Sequence, residues 1–545
     1  MPAFERFDLN GRAASSREIA RRWRDFHQRV RRANATPLAR VVGPLLGDDT
    51  RRRRLAERWR PPAPAVTGAR EPVTTFPHDY VRLDAAADVA SLEVADHIEF
   101  VVLETDEPEE LLEKFAVALT STKEWLLVTH ERDESARLAY GATLFAHGDD
   151  ADVVFADEEG DVEGIPILKP SVVGPHTLLS YNVVGRPALL RRETVARLGG
   201  LRPEVGRASE HDLYLRLHEN EARLHHVAIV MPGRRAQERH DPALASDTQR
   251  VVAEALLRRG ITARVALTSR PSVVSWQPLP DVWPRVDILI PTRDRVDLLA
   301  QCVASVEASG YPNYAITILN NDSADAATLD YFAATPHRVV DCPGAFNYAA
   351  IINRGVEHVT GDYVLTLNND TLVRTPDWLE QMVGVATLPD VSIVGVTLID
   401  RDDVHDHDGI VMSPYPQHLR RGVNYLVEDE YVLARRDVVA VTGAVQLIAR
   451  ARYVELAGMD ETLAVVMNDV DLCLRSQVGG RHVVMLPDVE MTHFASSTRG
   501  RLDPLADRNH FVRRWDVFGT FVDPYAPAAL RLYAHTFEYH PAVAD

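Results

Sequence analysis

The sequence has no apolar run approaching the roughly 18 residues that a membrane-spanning helix needs, which excludes an integral helical membrane protein. Its first residues, MPAFERFDLNGR, lack the apolar core of a signal peptide, so the expected location is the cytoplasm. Cysteine is scarce. Cys302, Cys342 and Cys473 are an odd count without zinc-ligand spacing, which argues against a disulfide framework and for three reduced thiols in hydrophobic surroundings. Lysine is missing from residues 1–70, although that stretch is strongly basic.

Charge is divided unevenly. Residues 1–70 hold 17 Arg and 7 Asp/Glu, a net of +10, whereas the remainder carries 43 basic against 72 acidic side chains. A basic arm on an acidic body points to a local anionic partner. Ile19, Trp23, Phe26 and Val30 fall at helical spacing, flanked by Arg21, Arg22, Arg24, Arg29, Arg31 and Arg32. Two readings stand side by side: a helix packed on the acidic body, and a membrane-surface helix through which residues 1–60 contact anionic lipid at the inner face of the plasma membrane. Nucleic acid is not expected, because no recognisable binding motif accompanies the arm. RPPAPAVTGAREP (60–72) is a linker by its proline and small-residue content.

A length of 545 residues implies two or three domains. HIEFVVL (97–103), PEELLEKFAVAL (108–119) and EWLLVT (124–129) alternate as strand, helix and strand, the pattern of a parallel sheet. A helix over 246–260 and a β-prone stretch follow. The proline-bearing segment around 270–284 leads into a second α/β unit. That unit opens with VDILIP, continues through YAITILN (314–320) and a helix near 347–358, and reaches DYVLTL (362–367) before Asn368, Asn369 and Asp370. Doubly wound sheets bind ligands at the carboxyl ends of their strands. Polar residues gather at three such ends: Thr292, Arg293 and Asp294, then Asn320, Asn321 and Asp322, then Asn368 and Asp370.

The chain also repeats itself. LLRRETVARLGG (189–200) resembles LIARARYVELAG (447–458), and SEHDLYLRL (209–217) resembles NDVDLCLRS (468–476). Gly200 then matches Gly458, Asp212 matches Asp471 and Arg216 matches Arg475. EWLLVTHERD (124–133) resembles DYVLTLNNDT (362–371), which sets His130 against Asn368 and Arg132 against Asp370. An arginine cannot replace a carboxylate as a metal ligand. The first copy is also about 50 residues shorter between matching strands, so it is expected to be non-catalytic. Expected domains are 1–70 (basic helical arm and linker), 71–280 (degenerate copy with a connecting segment), 281–525 (catalytic copy) and 526–545 (tail).

In the second copy Asp370 ends a strand, where a hard divalent cation could meet it and a substrate diphosphate together. Asp469 precedes a helix and could act as general base. His493 follows the strand 482–492 and could complete a metal site.

Taken in order, IPTRDR, ILNNDS, LNNDT, VTGAVQLIAR, NDVDLCLR and THFASSTRG resemble the bacterial family 2 glycosyltransferases with the GT-A fold. PGAFNYAAIINRG (343–355) and the two-copy layout are similar to the rhamnosyltransferase-like, O-antigen-type members. The resemblance covers 285–500 strongly, 150–260 moderately and 1–70 not at all. It implies two GT-A-like doubly wound domains in tandem, the first degenerate. Pro291, Thr292 and Arg293 would line the nucleotide pocket, and Asn320 would stand where an aspartate usually reads the base. Asn368 and Asp370 would replace the DxD motif. Gly443 and Ala444 would lie beneath the acceptor, Asp469 would be the catalytic base, and Asp370 and His493 would hold Mn2+ or Mg2+. His407 and Gly409 match a His-x-Gly loop of undetermined role.

The implied reaction moves a sugar, with inversion, from a nucleotide-diphosphate donor to a hydroxyl of a cell-surface glycan or lipid-linked acceptor. The donor sugar and base stay open. Arg513 and Arg514 of FVRRWDVFGTFVDPY are read first as packing residues and second as diphosphate contacts. Two rivals are a nucleotidyltransferase, disfavoured by the absence of glycine in IPTRDR, and a scaffold in which both copies are inactive.

Overall fold

The structure is a computed structural model. It describes residues 95–105, 107–159, 167–233, 239–412, 415–420, 430–494, 504–517 and 523–526, and two short strands near the C-terminus. The basic arm, the linker at 60–72 and most of the C-terminal tail lie outside the described residues. Among the described residues no helix is long and apolar enough to cross a membrane. All three cysteines are free and buried.

Two sheets organise the chain. The smaller contains β1 (Ile98–Val102), β2 (Trp125–Thr129), β3 (Val153–Glu158), β4 (Ala188–Arg191) and β5 (Leu224–Met231), in spatial order β1-β2-β4-β3-β5. A hairpin of β6 (Ala263–Leu267) and β7 (Val274–Pro278) follows. The larger sheet begins with β8 (Val286–Thr292), β9 (Tyr314–Asn320), β10 (Arg338–Asp341), β11 (Tyr363–Leu367) and β12 (Thr371–Val373). Next come β13 (Val391–Ile399) and β14 (His405–His407), then a separate hairpin of β15 (Ile410–Met412) and β16 (Pro416–His418). β17 (Arg436–Val438), β18 (Val445–Ala449) and β19 (His482–His493) complete it. Its order is β10-β9-β8-β11-β18-β13-β19-β12, with β14 on β13 and β17 on β19.

The smaller sheet repeats the middle of the larger one strand for strand. β1 and β2 are parallel, β4 opposes both β2 and β3, and β3 and β5 are parallel. β8, β11, β18, β13 and β19 show the same order and the same senses. Even the register agrees: Trp125 faces Arg191 in β2/β4, and Tyr363 faces Ala449 in β11/β18. These pairs are the ones matched in the sequence repeat. Among the described residues the smaller sheet has no counterpart of β9 and β10, in keeping with its shorter connection.

Local sequence explains the elements. The helix Pro108–Leu119 starts with proline, has Glu109 and Glu110 in its first turn, and buries Leu111, Phe115 and Ala118 along one stripe. β13 reads VSIVGVTLI and is buried at every position, as a central strand covered on both faces must be. The repeated glycines end helices in the left-handed region, Gly200 at φ 70° and Gly458 at φ 71°. Each marks one end of a repeated clamp. Arg216 donates to Asp212 and to the carbonyls of Leu198 and Gly200. Arg475 donates to Asp471 and to the carbonyls of Leu456 and Gly458.

The two halves share one continuous apolar core that runs from Leu126 and Phe155 through Trp276 to Ile288 and Leu447. The segment at 270–284, expected to lead from one domain to the next, is itself structural. Its Trp276 is fully buried and donates to Ser180 Oγ at 3.0 Å. Arg435, also buried, donates to the Trp276 carbonyl and pairs with Asp488.

Arg475→Ala removes three charge-assisted hydrogen bonds and leaves Asp471 buried with fewer donors. We expect a loss of about 3 kcal/mol, read as a lowered denaturation midpoint, and a similar loss for Arg216→Ala. Losses below about 1 kcal/mol would show that the clamps are not needed.

Candidate active site

Five strand ends converge on one edge of the larger sheet. At the end of β8, Thr292 is buried, and its hydroxyl accepts from Asn369 Nδ2 at 2.9 Å. Pro291 is half-buried and Arg293 is exposed. Asp294 and Arg295 both adopt left-handed backbone, at φ 55° and 56°. That turn aims the Asp294 carboxylate at the backbone N–H groups of Asp325 and Ala324, which lower its pKa and tie the loop after β8 to the loop after β9. Asn320, at the end of β9, accepts from Ser323 N and donates to Asp341 Oδ1 at 2.9 Å. Its carbonyl therefore shapes the turn, while the Asp341 carboxylate stands beside it on β10.

β11 and its antiparallel neighbour β18 form the centre. Past the end of the ladder, Asn368 N donates to Ala444 O at 2.9 Å, which fixes the loop 442–444 against Asn368 and Asp370. Gly443 N donates to Asp469 Oδ2 at 2.8 Å. Asp469 lies in the first turn of the helix Asn468–Ser476, and its other oxygen accepts from Val470 N. Tyr348 and Thr366 both donate to the Gly443 carbonyl. A Cβ on Gly443 would come within 3.2 Å of the Asp469 Cβ, so the loop approaches the helix at close to the smallest distance available. His407 is fully buried, and its Nε2 accepts from Thr442 N. This gives the His-x-Gly segment a role as support for the loop.

β12 pairs with β19 so that Thr371 faces His493. The pairing sets His493 Nε2 3.4 Å from Asp370 Oδ1. Asp406, on β14, accepts from His493 Nδ1 at 2.7 Å. Burial opposes charge on this imidazole, but the Asp370 and Asp406 carboxylates outweigh it and hold the proton up to about 9. Asp406 is absent from the sequence-based set. The only sequence signal for it was its place within HDHDG, beside the His-x-Gly loop. Arg514 pairs with Asp460 and Asp471.

Residues 287–439 match the model for glycosyl transferase family 2. The matched stretch runs from β8 through β17 of the larger sheet. The O-antigen biosynthesis protein RfbC of Myxococcus xanthus is 30% identical over 73% of this chain and 33% of its own length. An uncharacterized protein, y4gI, of Sinorhizobium fredii is 29% identical over 70% of this chain and 45% of its own length. The chain thus spans less than half of either curated relative. Among solved structures, a mannosyltransferase from Pyrobaculum calidifontis, in complex with GDP-Man and Mn2+, matches 46% of this chain and 64% of its own at 18% identity, with a TM-score of 0.32.

Set against the larger sheet, the smaller sheet shows what has happened to the corresponding positions. Register places Gly185 and Arg186 where the larger sheet has Gly443 and Ala444, and the repeat aligned at Asp212 and Asp471 sets Glu210 against Asp469. Arg186 and Glu210 are both buried and form a two-pronged ion pair, Nε to Oε1 at 3.0 Å. The same guanidinium reaches His130 Nε2, at the position of Asn368. A carboxylate thus stands at the position matching Asp469, and an arginine from the position matching Ala444 pairs with it.

Arg186→Ala should leave Glu210 buried without its counter-charge and lower stability by about 3–5 kcal/mol, while Arg186→Ala/Glu210→Gln should cost clearly less. Additive losses in that double-mutant cycle would contradict the lock.

Proposed function

We propose that the chain is an inverting, metal-dependent glycosyltransferase that moves a sugar from a nucleotide-diphosphate donor to a hydroxyl of a cell-surface glycan or lipid-linked acceptor. The observation that carries this reading is the placement of Asp469. Its carboxylate is half-buried, is held through Gly443 N–H beside the loop that would underlie the acceptor, and begins a helix next to the β11 strand end.

Donor residues are assigned on the same grounds. Pro291, Thr292, Arg293 and Asn320 border the two strand ends that would receive the nucleotide, and Asn368 and Asp370 the end that would receive the diphosphate. The donor set fits a divalent cation. Asp370 offers a carboxylate oxygen 3.4 Å from His493 Nε2, and the opposite ring nitrogen is fixed by Asp406, the arrangement that orients metal-binding imidazoles. Mn2+ or Mg2+ held there would offset the charge of the departing diphosphate. His493 must give up its Nε2 proton before it can serve as a ligand.

The remaining chemistry belongs to the chain's own groups. The two backbone N–H groups of Gly443 and Val470 hold the Asp469 carboxylate in place, and an ionised carboxylate can accept a proton through either oxygen. One Asp469 oxygen takes the proton of the acceptor hydroxyl as the hydroxyl oxygen attacks the anomeric carbon. The bond from that carbon to the diphosphate oxygen breaks on the opposite face, the electron pair leaves with the nucleoside diphosphate, and configuration inverts. Gly443 and Ala444, fixed by Tyr348, Thr366 and the backbone of Asn368, supply a rigid floor for the acceptor.

Asp469→Asn should lower sugar transfer by at least about 100-fold and leave the Kd of the nucleotide unchanged within about twofold. Transfer can be followed by release of nucleoside diphosphate. A variant that keeps transfer, or loses nucleotide binding with it, would remove Asp469 from the role of base.

A further inference from the structure

The far end of β19 carries a second cluster that the transfer reaction does not use. His482 opens the strand and His493 closes it, so the two are separated by roughly 35 Å of extended chain. Close to His482 lie Asp437 on β17 and His176 in the helix Pro175–Ser180, which belongs to the other half of the chain. His176 and Asp437 are buried and His482 is half-buried.

One donor atom from each of the three residues lies within 4.8 Å of the others. Asp437 Oδ1 is 2.7 Å from His176 Nδ1 and 3.1 Å from His482 Nδ1. Asp437 Oδ2 is already committed, accepting from His176 N, Thr177 N and Thr177 Oγ1. The carboxylate is therefore held rigidly, with one oxygen presented to two imidazoles. On the opposite side of the His176 ring, Nε2 lies 3.6 Å from Asp390 Oδ2. Metal-bound imidazoles are usually oriented in this way, with one nitrogen on the ion and the other toward a carboxylate. Trp276 stacks on His176 with ring centroids 5.8 Å apart, and the Tyr525 hydroxyl lies 3.1 Å from His482 Nδ1.

We propose that His176 Nδ1, Asp437 Oδ1 and His482 Nδ1 form a zinc site that joins the two halves of the chain. Two imidazole nitrogens and one carboxylate oxygen are the borderline donor set that zinc takes in preference to Mg2+ or Ca2+. Ligands about 2.0 Å from a tetrahedral zinc stand about 3.3 Å apart, so Asp437 Oδ1 must part from His176 Nδ1 by about 0.6 Å and from His482 Nδ1 by about 0.2 Å. The fourth position would fall to a water able to hydrogen-bond the Tyr525 hydroxyl. The site is independent of the proposed donor site, shares no residue with it and serves placement, not transfer.

The test is elemental analysis of the full chain, purified without a polyhistidine tag and without chelator. The expected content is about one zinc per chain, kept in Asp370→Ala/His493→Ala and reduced at least about tenfold in His482→Ala. Replacement by Co2+ should give the visible absorption of a tetrahedral site in the wild type, a readout that needs no variant. His482→Cys, which preserves a zinc ligand, should retain the metal if His482→Ala fails to fold. Wild-type protein that carries less than about 0.1 zinc and shows no such cobalt band would overturn the proposal, leaving a hydrogen-bonded His–Asp–His contact.

Discussion

The pairing of β11 with β18 is the constraint on which the site depends. β18 runs against its neighbours β11 and β13, so its entering loop arrives at the carboxyl end of β11. Register then does the rest. The backbone of Asn368 meets that of Ala444, and Gly443 turns its N–H to Asp469. A slip of one residue would exchange the faces of the strand and separate the strand end from the base. Glycine at 443 is what permits so close an approach, and a buried His407 accepting from Thr442 holds the loop from behind.

The same constraint governs the smaller sheet, where it leads elsewhere. The equivalent strands keep their register and their glycine, and a carboxylate, Glu210, stands at the position matching Asp469. One residue, Arg186 in place of alanine, then closes the space that the loop would otherwise leave. Among the described residues the smaller sheet also lacks strands equivalent to β9 and β10. The Arg–Asp–glycine clamps recur in both halves, where each ties a helix to the turn that ends its neighbour.

Much of this was legible in the sequence where the signal is local. The helix Pro108–Leu119 announces itself by proline, acidic first turn and apolar spacing, and the strand ends at Thr292, Asn320 and Asp370 by apolar runs that stop at polar residues. The repeat was readable because glycine and the i, i+4 Asp–Arg pair keep fixed spacing. Contacts made across long stretches of chain were not readable. Asp406 meets His493 across 87 residues, and Asp437 meets His176 across 261. Glu210 could be aligned with Asp469 by counting back from Asp212, but its ion pair with Arg186 was not readable from the chain. Segment 270–284 was read from its prolines, which say nothing of Trp276 being buried beneath Ser180.

The central claim is that the β11 edge of the larger sheet is a working donor site that needs a metal. Calorimetric titration of UDP and dTDP, with and without Mn2+, on wild type and on Asp370→Ala tests it most directly. The account predicts that one nucleotide binds only when Mn2+ is present and that Asp370→Ala abolishes this binding. Failure of both nucleotides to bind the wild type, or equal binding without metal or without Asp370, would contradict it.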